Sequence, residues 1–597
     1  MAAYVLSPEL IFSARLADII SRRQFDLDQA VDWSKVMAIL VKNKIPLLSL
    51  VRDPLLRNCP LLARPDFQQL VMREEASWKS LRHEYALVRE DFLKYGISNI
   101  LFKSVGLAPS FPYTSDNLDV LIHPANIETA RNVLYDLGYV ELRHIEEPKK
   151  FLFRKFNADE CVSAIHLHGL VGWGAAFMDE DALWQRCRPS TDDPLVIVPS
   201  PEDAVLITIA HSFYENKSVK LIDLMRIRYC FSQGELDCAY MQRVSTDRGW
   251  EDGFAFSLMI YSRLERAIYS EGLIPDNALE LANQTIEKSF WLKNALERTM
   301  GRNDLQFPFK VSFLLGKLFY YRKLLTYPKR NIRARIYSVV ATLAAGIKLK
   351  LGIRGQRGML ISLSGIDGSG KSSAAQVLLK VFATSDVLAY PCWIRFGSVD
   401  WFRKASPISK NNQNEVSFSG STTHLERRQN KLKNPFLRMG WLVLNLAYMT
   451  LFYNLKVRLS TWFGYVVICD RYIYDALVEI EASLPNSSSL IRLSEWLLMH
   501  FCPKPQLSWL FDLTPGEALS RQKFERSSVS LEKELAFERE RYLALQKRYQ
   551  LLLVSNQGDQ NVIADLVVLK TLRKYFEDYH TWINGLLFSN PNQMNPV

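Results

Sequence analysis

The sequence predicts a multidomain α/β protein, and three observations lead to that prediction. The chain has 597 residues, of which 48% are hydrophobic, so it can bury several cores, and the length suggests about two to four domains. Two zones with helical apolar periodicity flank a zone in which strand and helix signals alternate. A final zone alternates buried strands with helices. The predicted segments are a helical one at 1–95, an α+β domain at 96–230, a helical extension at 231–304, a basic helical connector at 305–354, a parallel-sheet α/β domain at 355–580 and a tail at 581–597.

The final zone opens with a strand, a glycine-rich loop and a helix in direct succession. The loop reads GIDGSGKSS and fits the pattern G-x-x-x-x-G-K-[ST], in which glycines let successive backbone N–H groups surround phosphates. We expect Lys371 to contact the β and γ phosphates of ATP and Ser372 to ligate Mg²⁺, while the helix start faces the anion. The predicted ATP-binding residues are Gly365, Ile366, Asp367, Gly368, Ser369, Gly370, Lys371, Ser372 and Ser373.

A second signal follows about a hundred residues later, where the apolar strand 465–469 ends in Asp470, Arg471 and Tyr472. In a parallel sheet the carboxyl ends of the strands face the ligand crevice. We therefore expect Asp470 and Arg471 to reach the phosphates, with Asp470 as a second metal ligand.

A third signal is another buried strand, at 506–513, followed by Arg521, Arg526 and a charged helix that runs through residue 549. A flap with these arginines can close over transferring phosphates and stabilise their charge. The alternative is an ordinary exposed helix with i,i+4 ion pairs.

In this order and spacing the three segments resemble the thymidylate kinase family over about 225 residues. The resemblance implies a five-stranded parallel sheet with helices on both faces, and ATP and Mg²⁺ as cofactors. It also implies an acceptor site at Asp367, Arg471 and Tyr472, in which Arg471 holds the acceptor phosphate. The catalytic set that it implies is Lys371, Asp470, Arg471, Arg521 and Arg526.

The acceptor side departs from that family. The REPGGT segment expected after the second strand is absent, and the chain reads YPCWIRFGSVDWFRK there, followed by a polar insertion at 410–434. Asp475 and Glu479 occupy positions where the family has a serine and an aromatic residue. We therefore predict that phosphoryl transfer is kept and that thymine recognition is lost.

The first half carries a different resemblance. The runs DWSKVMAILVKNKIPLLSL, GISNILFKSVGLAPSFPYTSDNLDVLIHPANIETARNVLYDLGYVE and AIHLHGLVGW resemble the uncharacterised nucleotidyltransferase-like family of polymerase-beta-type fold, over about residues 30–230. That superfamily places two carboxylates two residues apart on a strand, so that both face two metal ions. Here the aligned pair is Asn117 and Asp119, and His166 stands where a third acidic ligand is expected. The other candidates are Lys103 as a phosphate contact, His168 as a ligand or a core histidine, and Asp116 as a substitute carboxylate.

Several functions stay open at this point. An amide binds Mg²⁺ far less well than a carboxylate, so the first half is predicted to be a degenerate nucleotide- or substrate-binding module, with an active nucleotidyltransferase or a scaffold as alternatives. For the whole chain, the alternative to a kinase is a nucleotide-binding regulatory or assembly protein whose P-loop switches conformation without acceptor turnover.

Charge and apolar runs bear on partners and location. All of the excess positive charge lies between residues 305 and 366, where twelve basic residues occur without any Asp or Glu, while the rest of the +11 chain is balanced. We therefore expect no general nucleic-acid surface. The basic stretch, interleaved with Phe313, Leu314, Phe319 and Leu324, is read either as a solvated connector or as a weak contact with an anionic membrane.

The remaining signals concern compartment and membrane insertion. The eight cysteines form no CxxC pair, the N-terminus lacks a secretory pattern, and the location predicted is cytoplasmic, with a peripheral contact at the inner membrane as an option. The apolar run 439–455 is at the lower length limit for a span, and we expect it to be a buried helix of the α/β domain. Oligomeric state is left open.

Overall fold

The protein is described from a computed structural model, and it divides into two compact units. The described residues are 6–18, 20–21, 31–102, 117–142, 149–158, 160–172, 176–191, 193–301, 305–327, 331–350, 357–393, 434–484, 487–521, 529–558 and 560–587. The first unit comprises Met1–Lys155 and Val162–Ile353, and the second comprises Phe156–Cys161 and Arg354–Val597.

The first unit is mainly helical around one mixed sheet. Its helices are α1 (Pro8–Ala17), α2 (Trp33–Lys42), α3 (Leu47–Val51), α4 (Pro65–Lys94), α5 (Ile127–Asp136), α6 (Glu180–Arg186), α7 (Pro201–Ala210), α8 (Leu221–Ser232), α9 (Cys238–Asp247), α10 (Glu251–Tyr269), α11 (Asp276–Glu287), α12 (Phe290–Met300), α13 (Phe313–Thr326) and α14 (Ile332–Lys350). Serine and aspartate caps start many of them, as Ser7 does for α1 and Asp32 for α2, because their side chains accept from backbone N–H groups of the first turn.

The main sheet of this unit has the strand order β1-β2-β5-β4-β3. Its strands are β1 (Asn99–Leu101), β2 (Leu118–Ile122), β3 (Val140–Glu141), β4 (Lys150–Asn157) and β5 (Glu160–His168). β2 is parallel to β5 and antiparallel to β1. Two short ladders pair β6 (Arg188–Pro189) with β7 (Ile197–Val198), and β8 (Ser218–Val219) with β9 (Phe309–Lys310). Every residue of β2 is buried.

The segment predicted as a basic connector contributes to the core of the first unit. Phe319 and Leu324 are buried, and the Lys323 ammonium is also buried and donates to two backbone carbonyl groups. Phe319, Lys323 and Leu324 are therefore not available to a membrane. Phe313 and Leu314 remain exposed.

The second unit contains a five-stranded parallel sheet in the order β11-β12-β10-β13-β14. Its strands are β10 (Met359–Gly365), β11 (Ala389–Trp393), β12 (Val466–Asp470), β13 (Leu507–Asp512) and β14 (Leu552–Ser555). Its helices are α15 (Lys371–Thr384), α16 (Pro435–Phe452), α17 (Leu459–Trp462), α18 (Ile473–Ser483), α19 (Ser488–Phe501), α20 (Pro515–Arg521), α21 (Val529–Tyr549) and α22 (Gln560–Leu587). The five parallel strands expected from the family resemblance are therefore observed.

Helices cover both faces of this sheet. Leu360, Val467 and Leu510 pack in one cluster with residues of α16, α18, α19 and α21. Successive strand residues point to opposite faces, and on the other face Trp509 donates from its indole nitrogen to Thr571 of α22, 3.1 Å away. The carboxyl ends of the central strands β10 and β12 lie at one edge of this sandwich.

The apolar helical stretch that begins at Pro435 is only partly buried. Among the described residues, Pro435–Trp462 is the one helical stretch long and apolar enough to cross a membrane. Core helices of soluble proteins also meet this criterion. About a third of its most apolar 18-residue segment, 33%, is buried. Trp441, Leu446 and Met449 face the core, whereas Phe436 and Trp462 are more than 80% exposed. The expected burial against the domain therefore applies to one face of the helix, and the other face is open.

Candidate functional site

The glycine loop is built so that side chains would not fit. Gly365, Gly368 and Gly370 all have positive φ angles, of 145°, 87° and 93°. A Cβ on Gly365 would lie 2.5 Å from the carbonyl oxygen of Phe511, and one on Gly370 would lie 2.6 Å from Nδ2 of Asn556. Side chains at Gly365 and Gly370 are therefore excluded by both backbone conformation and space, and one at Gly368 is disfavoured by backbone conformation.

Lys371 is folded over this loop. Its ammonium donates to the carbonyl oxygens of Gly365 and Ile366, each at 2.7 Å, and it is 5% exposed. Burial lowers the pKa of Lys371, and the charge of Arg471 lowers it further, while nearby aspartates oppose the shift. A positive charge is thus held close to a ring of backbone amides, an arrangement suited to a polyanion.

The loop, β12 and the residues after β13 surround a cavity of about 530 Å³. The Ser372 hydroxyl at the start of α15 donates to Oδ2 of Asp470 at the end of β12. Arg521 lines the cavity and donates to the carbonyl oxygen of Asn556, 2.7 Å away. The cavity is lined by Asp367, Gly368, Gly370, Lys371, Ser372, Ser373, Trp393, Asp470, Arg471, Arg521 and Gln560.

Two carboxylates lie close to the Arg471 guanidinium. Its guanidinium donates to Asp367 and lies 3.8 Å from Glu479. Burial lowers the pKa of Arg471, but the surrounding carboxylates outweigh burial and raise it. The backbone of Arg471 has φ = 80°, which a residue with a side chain adopts at a cost, and such strain is common at functional sites.

Glu538 of α21 adds a third carboxyl group near Arg471. Burial and the nearby charge of Asp367 raise the pKa of Glu538 to about 7, and Arg471 opposes that shift. A group that titrates near neutral pH therefore lies close to Arg471.

Two residues assigned to the acceptor from the sequence have structural roles. Tyr472 is buried, its hydroxyl donates to the carbonyl oxygen of Pro503 at 2.6 Å, and its ring packs on Tyr453. This position contradicts the prediction that Tyr472 contacts the acceptor. Asp475 accepts from Ser364 at 2.7 Å and from the Tyr472 backbone N–H at 2.9 Å.

Asp475 is consequently not an unpaired charge beside the acceptor base. Its other oxygen accepts from the hydroxyl of Tyr542, 2.8 Å away, so the carboxylate joins β10, α18 and α21. The other carboxyl groups near Arg471 are those of Asp367, Glu479 and Glu538.

A second constellation lies on the sheet of the first unit. Asp119 of β2 is opposite His166 of β5, and His168 follows two residues later. Oδ1 of Asp119 lies 3.3 Å from Nδ1 of His166 and 3.0 Å from Nε2 of His168. Nδ2 of Asn117 lies 3.2 Å from Oδ2 of Asp119 and 2.9 Å from Nδ1 of His166. The predicted candidates Asn117, Asp119 and His168 are thus brought together around one carboxylate.

Comparisons with known proteins find two kinds of relative. Residues 29–264 match the family described as "Uncharacterised nucleotidyltransferase". Thymidylate kinases match part of the chain at low identity. "Probable thymidylate kinase 2" of Saccharolobus solfataricus is 28% identical over 165 residues, 28% of this chain and 64% of that protein. The thymidylate kinase of Neorickettsia sennetsu is 30% identical over 172 residues, 28% of this chain and 72% of that protein.

The chain belongs to the thymidylate kinase family. "Probable thymidylate kinase" of Pyrococcus abyssi adds 27% identity over 221 residues, 36% of this chain and 96% of that protein. The chain spans 64% of the length of the first relative, and 36% of its own length at most is matched by these proteins. Thymidylate kinase similarity and the nucleotidyltransferase match together mark the protein as a transferase with a nucleotide-binding character.

Three residues in or beside this cavity were not predicted from the sequence. Trp393 ends β11 and lines the cavity, Asn556 follows β14 and donates to the Ser369 carbonyl at 2.6 Å, and Gln560 begins α22. Trp393 and Asn556 stand where a strand of the parallel sheet ends, which is the signal that could have found them. Lys103, Asp116 and Arg526 lie outside the described residues.

Proposed function

We propose that the second unit transfers the γ-phosphoryl group of ATP to a small polar acceptor. The observation that carries this proposal is the position of Lys371, Ser372 and Asp470 at one edge of the cavity, beside a loop of glycines with positive φ. Phosphoryl transfer needs positioning and charge stabilisation more than covalent chemistry from the protein. Loop amides and Lys371 hold the donor phosphates, and Arg471 and Arg521 stabilise charge during transfer.

The donor set in the cavity fits Mg²⁺. Ser372 and Asp470 offer a hydroxyl and a carboxylate oxygen close to each other, and Mg²⁺ prefers oxygen ligands and one or two carboxylates together with substrate phosphates. When bound there, the ion would neutralise phosphate charge. Cys469 precedes Asp470 but is buried, so no soft ligand competes among the described residues that line the cavity.

The test of the donor site is Lys371→Ala. We expect turnover of ATP to fall by about 10²–10³-fold, the range seen when one charge-stabilising donor is removed from an active site. Lys380→Ala is the matched control, since Lys380 is exposed on the same helix α15. Unchanged ATP turnover in Lys371→Ala would refute the donor site.

The acceptor side favours a hydroxylated or cationic group over an apolar base. Asp367 pairs with Arg471, Glu479 lies 3.8 Å from it and Glu538 interacts with it electrostatically. Carboxyl groups next to a bound acceptor are better satisfied by hydroxyl or cationic groups than by an apolar ring. Thymidine monophosphate is therefore expected to be a poor acceptor in this member of the family.

A steady-state comparison of thymidine monophosphate with other nucleoside monophosphates and with sugar phosphates tests this acceptor assignment. We expect thymidine monophosphate to be among the slowest. If it is turned over with kcat/KM of about 10⁴ M⁻¹ s⁻¹ or more, in the ordinary range of enzymes, the proposed loss of thymine recognition is wrong.

A second candidate function is a nucleotide-dependent regulatory or assembly protein. The observation that favours it is the engagement of Arg471 by Asp367, because an arginine already neutralised by a carboxylate has less to offer an acceptor phosphate. ATP binding that persists with no phosphorylated product from any acceptor of the panel would select this alternative.

For the first unit we propose a degenerate nucleotide- or substrate-binding module. Asn117 replaces one metal carboxylate and His166 stands at the third position, so a pair of Mg²⁺ ions finds only Asp119 there. An active nucleotidyltransferase remains the alternative, and magnesium-dependent nucleotidyl transfer lost in Asp119→Ala would establish it.

A further inference from the structure

Three side chains that can ligate a metal converge on the sheet of the first unit. The β2–β5 register puts Asp119 opposite His166, and His168 points to the same face because it is two residues further along the strand. The ligand atoms of the three side chains all lie within 4.8 Å of one another. Donor atoms bound to one ion at about 2.0–2.1 Å are about 3.0–3.4 Å apart in octahedral or tetrahedral geometry. The separations of 3.3 and 3.0 Å from Asp119 Oδ1 to the two ring nitrogens fit that spacing.

We propose that Asp119, His166 and His168 bind one divalent transition-metal ion of the Zn²⁺ or Co²⁺ class. This site lies outside the ATP cavity and does not depend on the function proposed for the second unit. It also differs from the two-Mg²⁺ carboxylate site of active nucleotidyltransferases, because two of its three ligands are imidazoles.

Asn117 lies beside two of the three proposed ligands. Its Nδ2 faces Oδ2 of Asp119 at 3.2 Å, and an amide oxygen in that place would repel the carboxylate. The same Nδ2 lies 2.9 Å from Nδ1 of His166. A ring nitrogen has one lone pair, so an ion bound by Nδ1 takes the place of this hydrogen bond, and the Asn117 amide keeps Oδ2 of Asp119 as its acceptor.

The chemistry of the ligands decides which ion fits. Neutral imidazole suits Zn²⁺, Cu²⁺, Fe²⁺ and Ni²⁺, while Mg²⁺ prefers carboxylate, carbonyl and water oxygens. An ion that gains from nitrogen donation is therefore favoured over Mg²⁺.

His166 is the most exposed of the three ligands. The Asp119 and His168 side chains are buried, with the His168 ring against Phe102 at a centroid distance of 4.8 Å, whereas the His166 side chain is 24% exposed. Three protein ligands are the number found in zinc sites that keep a fourth position for water or substrate. The ion could thus contact a small ligand.

The test is a Zn²⁺ titration of the full-length chain after removal of metals with a chelator, in competition with a chromogenic chelator and in excess Mg²⁺. We expect one equivalent of Zn²⁺ per chain. His166→Ala should weaken binding by at least about tenfold, since even outer-shell partners of metal ligands are worth 10–100-fold. His166 is chosen because it is the least buried ligand, and His166→Asp should shift preference towards Mg²⁺ and Mn²⁺ while keeping the fold.

Two controls separate this site from surface binding. His83→Ala removes an exposed histidine of α4, and Cys161→Ser removes an exposed thiol of β5. Neither change should alter the affinity for the one tightly bound Zn²⁺. Visible ligand-field absorption of bound Co²⁺ should change in His166→Ala and not in the controls. Zn²⁺ binding that is absent, that Mg²⁺ displaces, or that His166→Ala leaves unchanged would overturn the proposal.

Discussion

Asp470 and Asp119 lie on strands that pair with a parallel neighbour, in two different units, and their surroundings differ. Asp470 ends β12, is partly exposed, and meets the hydroxyl of Ser372 beside Lys371. Asp119 lies within the fully buried β2 and meets two imidazoles and an amide. The comparison teaches that the partners around a carboxylate, more than the carboxylate itself, decide whether a site suits phosphates with a hard cation or a borderline transition metal.

The two sites also differ in how the backbone takes part. The second unit supplies glycines with positive φ, whose amides can surround an anion, whereas the first unit supplies regular strands that only orient side chains. An anion-binding role is therefore expected for the second site and a cation-binding role for the first.

The largest expected effect separates the two aspartates directly. Asp470→Ala should lower magnesium-dependent ATP turnover by about 10²–10³-fold, because it removes a charge that positions the metal and phosphates. Asp119→Ala should leave that turnover within about twofold of the unaltered chain, since it is in another unit. Steady-state kinetics of the two variants check this, and equal losses in both would break the comparison.

The next effect concerns the glycine loop. Gly370→Ala should weaken ATP binding by at least about tenfold and destabilise the second unit by about 1–3 kcal/mol, because the new Cβ meets Asn556 at a positive φ. Gly440→Ala is the control, since Gly440 lies in α16 with open space around its Cα and should be neutral or stabilising. Isothermal titration with ATP and thermal unfolding measure both, and a Gly370→Ala protein with normal ATP affinity would contradict the loop assignment.

A smaller effect is expected from pH on the acceptor side. Glu538 has its pKa raised to about 7 by burial, so it gains negative charge as pH rises through that value. The kcat/KM for a phosphate-bearing acceptor should therefore fall several-fold as pH rises through about 7, and less so for an uncharged acceptor. Glu538→Gln should flatten the profile, and Glu540→Gln, exposed on the same helix, should not.

The same carboxyl group affects stability with a definite sign. Its folded pKa lies above the ordinary value of 4.5, so its contribution to folding is fully present below about pH 4.5 and is lost as pH rises through about 7. Denaturant unfolding of Glu538→Gln should lack that decline. A decline of the same size in both proteins would assign it to other groups.

The smallest expected effect is membrane contact, which we propose to be weak and salt-sensitive. Arg333 and Arg335 begin α14, and each basic residue near an anionic surface contributes about 1 kcal/mol, which salt screens. In vesicle sedimentation of the full chain, changing both arginines to Gln should reduce binding to anionic lipid, whereas Trp462→Ser should not. Tight binding to neutral lipid that Trp462→Ser removes would instead indicate insertion of the exposed face of Pro435–Trp462.

The sequence predicted the features of the second unit that depend on local pattern. The glycine loop, its lysine and the aspartate after an apolar strand are read from adjacent residues, and the structure brings them into one cavity. The roles of Asp475 and Tyr472 could not be read in this way, because they depend on Ser364, Pro503 and Tyr542 from distant segments. Glu538 likewise reaches the acceptor side only through packing of α21.

In the first unit the sequence placed Asn117, Asp119 and His166 in one ligand set only through the family resemblance. The position of His168 beside them follows from the parallel register of β2 and β5, which a single sequence does not specify. The burial of Phe319 and Leu324 was missed for a related reason, since interleaved basic and apolar residues look alike on an exposed helix and on a core helix with a buried lysine.

The central claim is that γ-phosphoryl chemistry belongs to the second unit and that the first unit does not transfer nucleotides. The most direct measurement is one incubation of the full-length chain with ATP carrying distinguishable labels on the α and γ phosphorus atoms, Mg²⁺ and a panel of small acceptors. We predict that the γ label moves to an acceptor, that this is lost in Lys371→Ala and kept in Asp119→Ala, and that the α label stays in ADP. Transfer of the α label to any acceptor, or γ transfer that survives Lys371→Ala, would contradict the account.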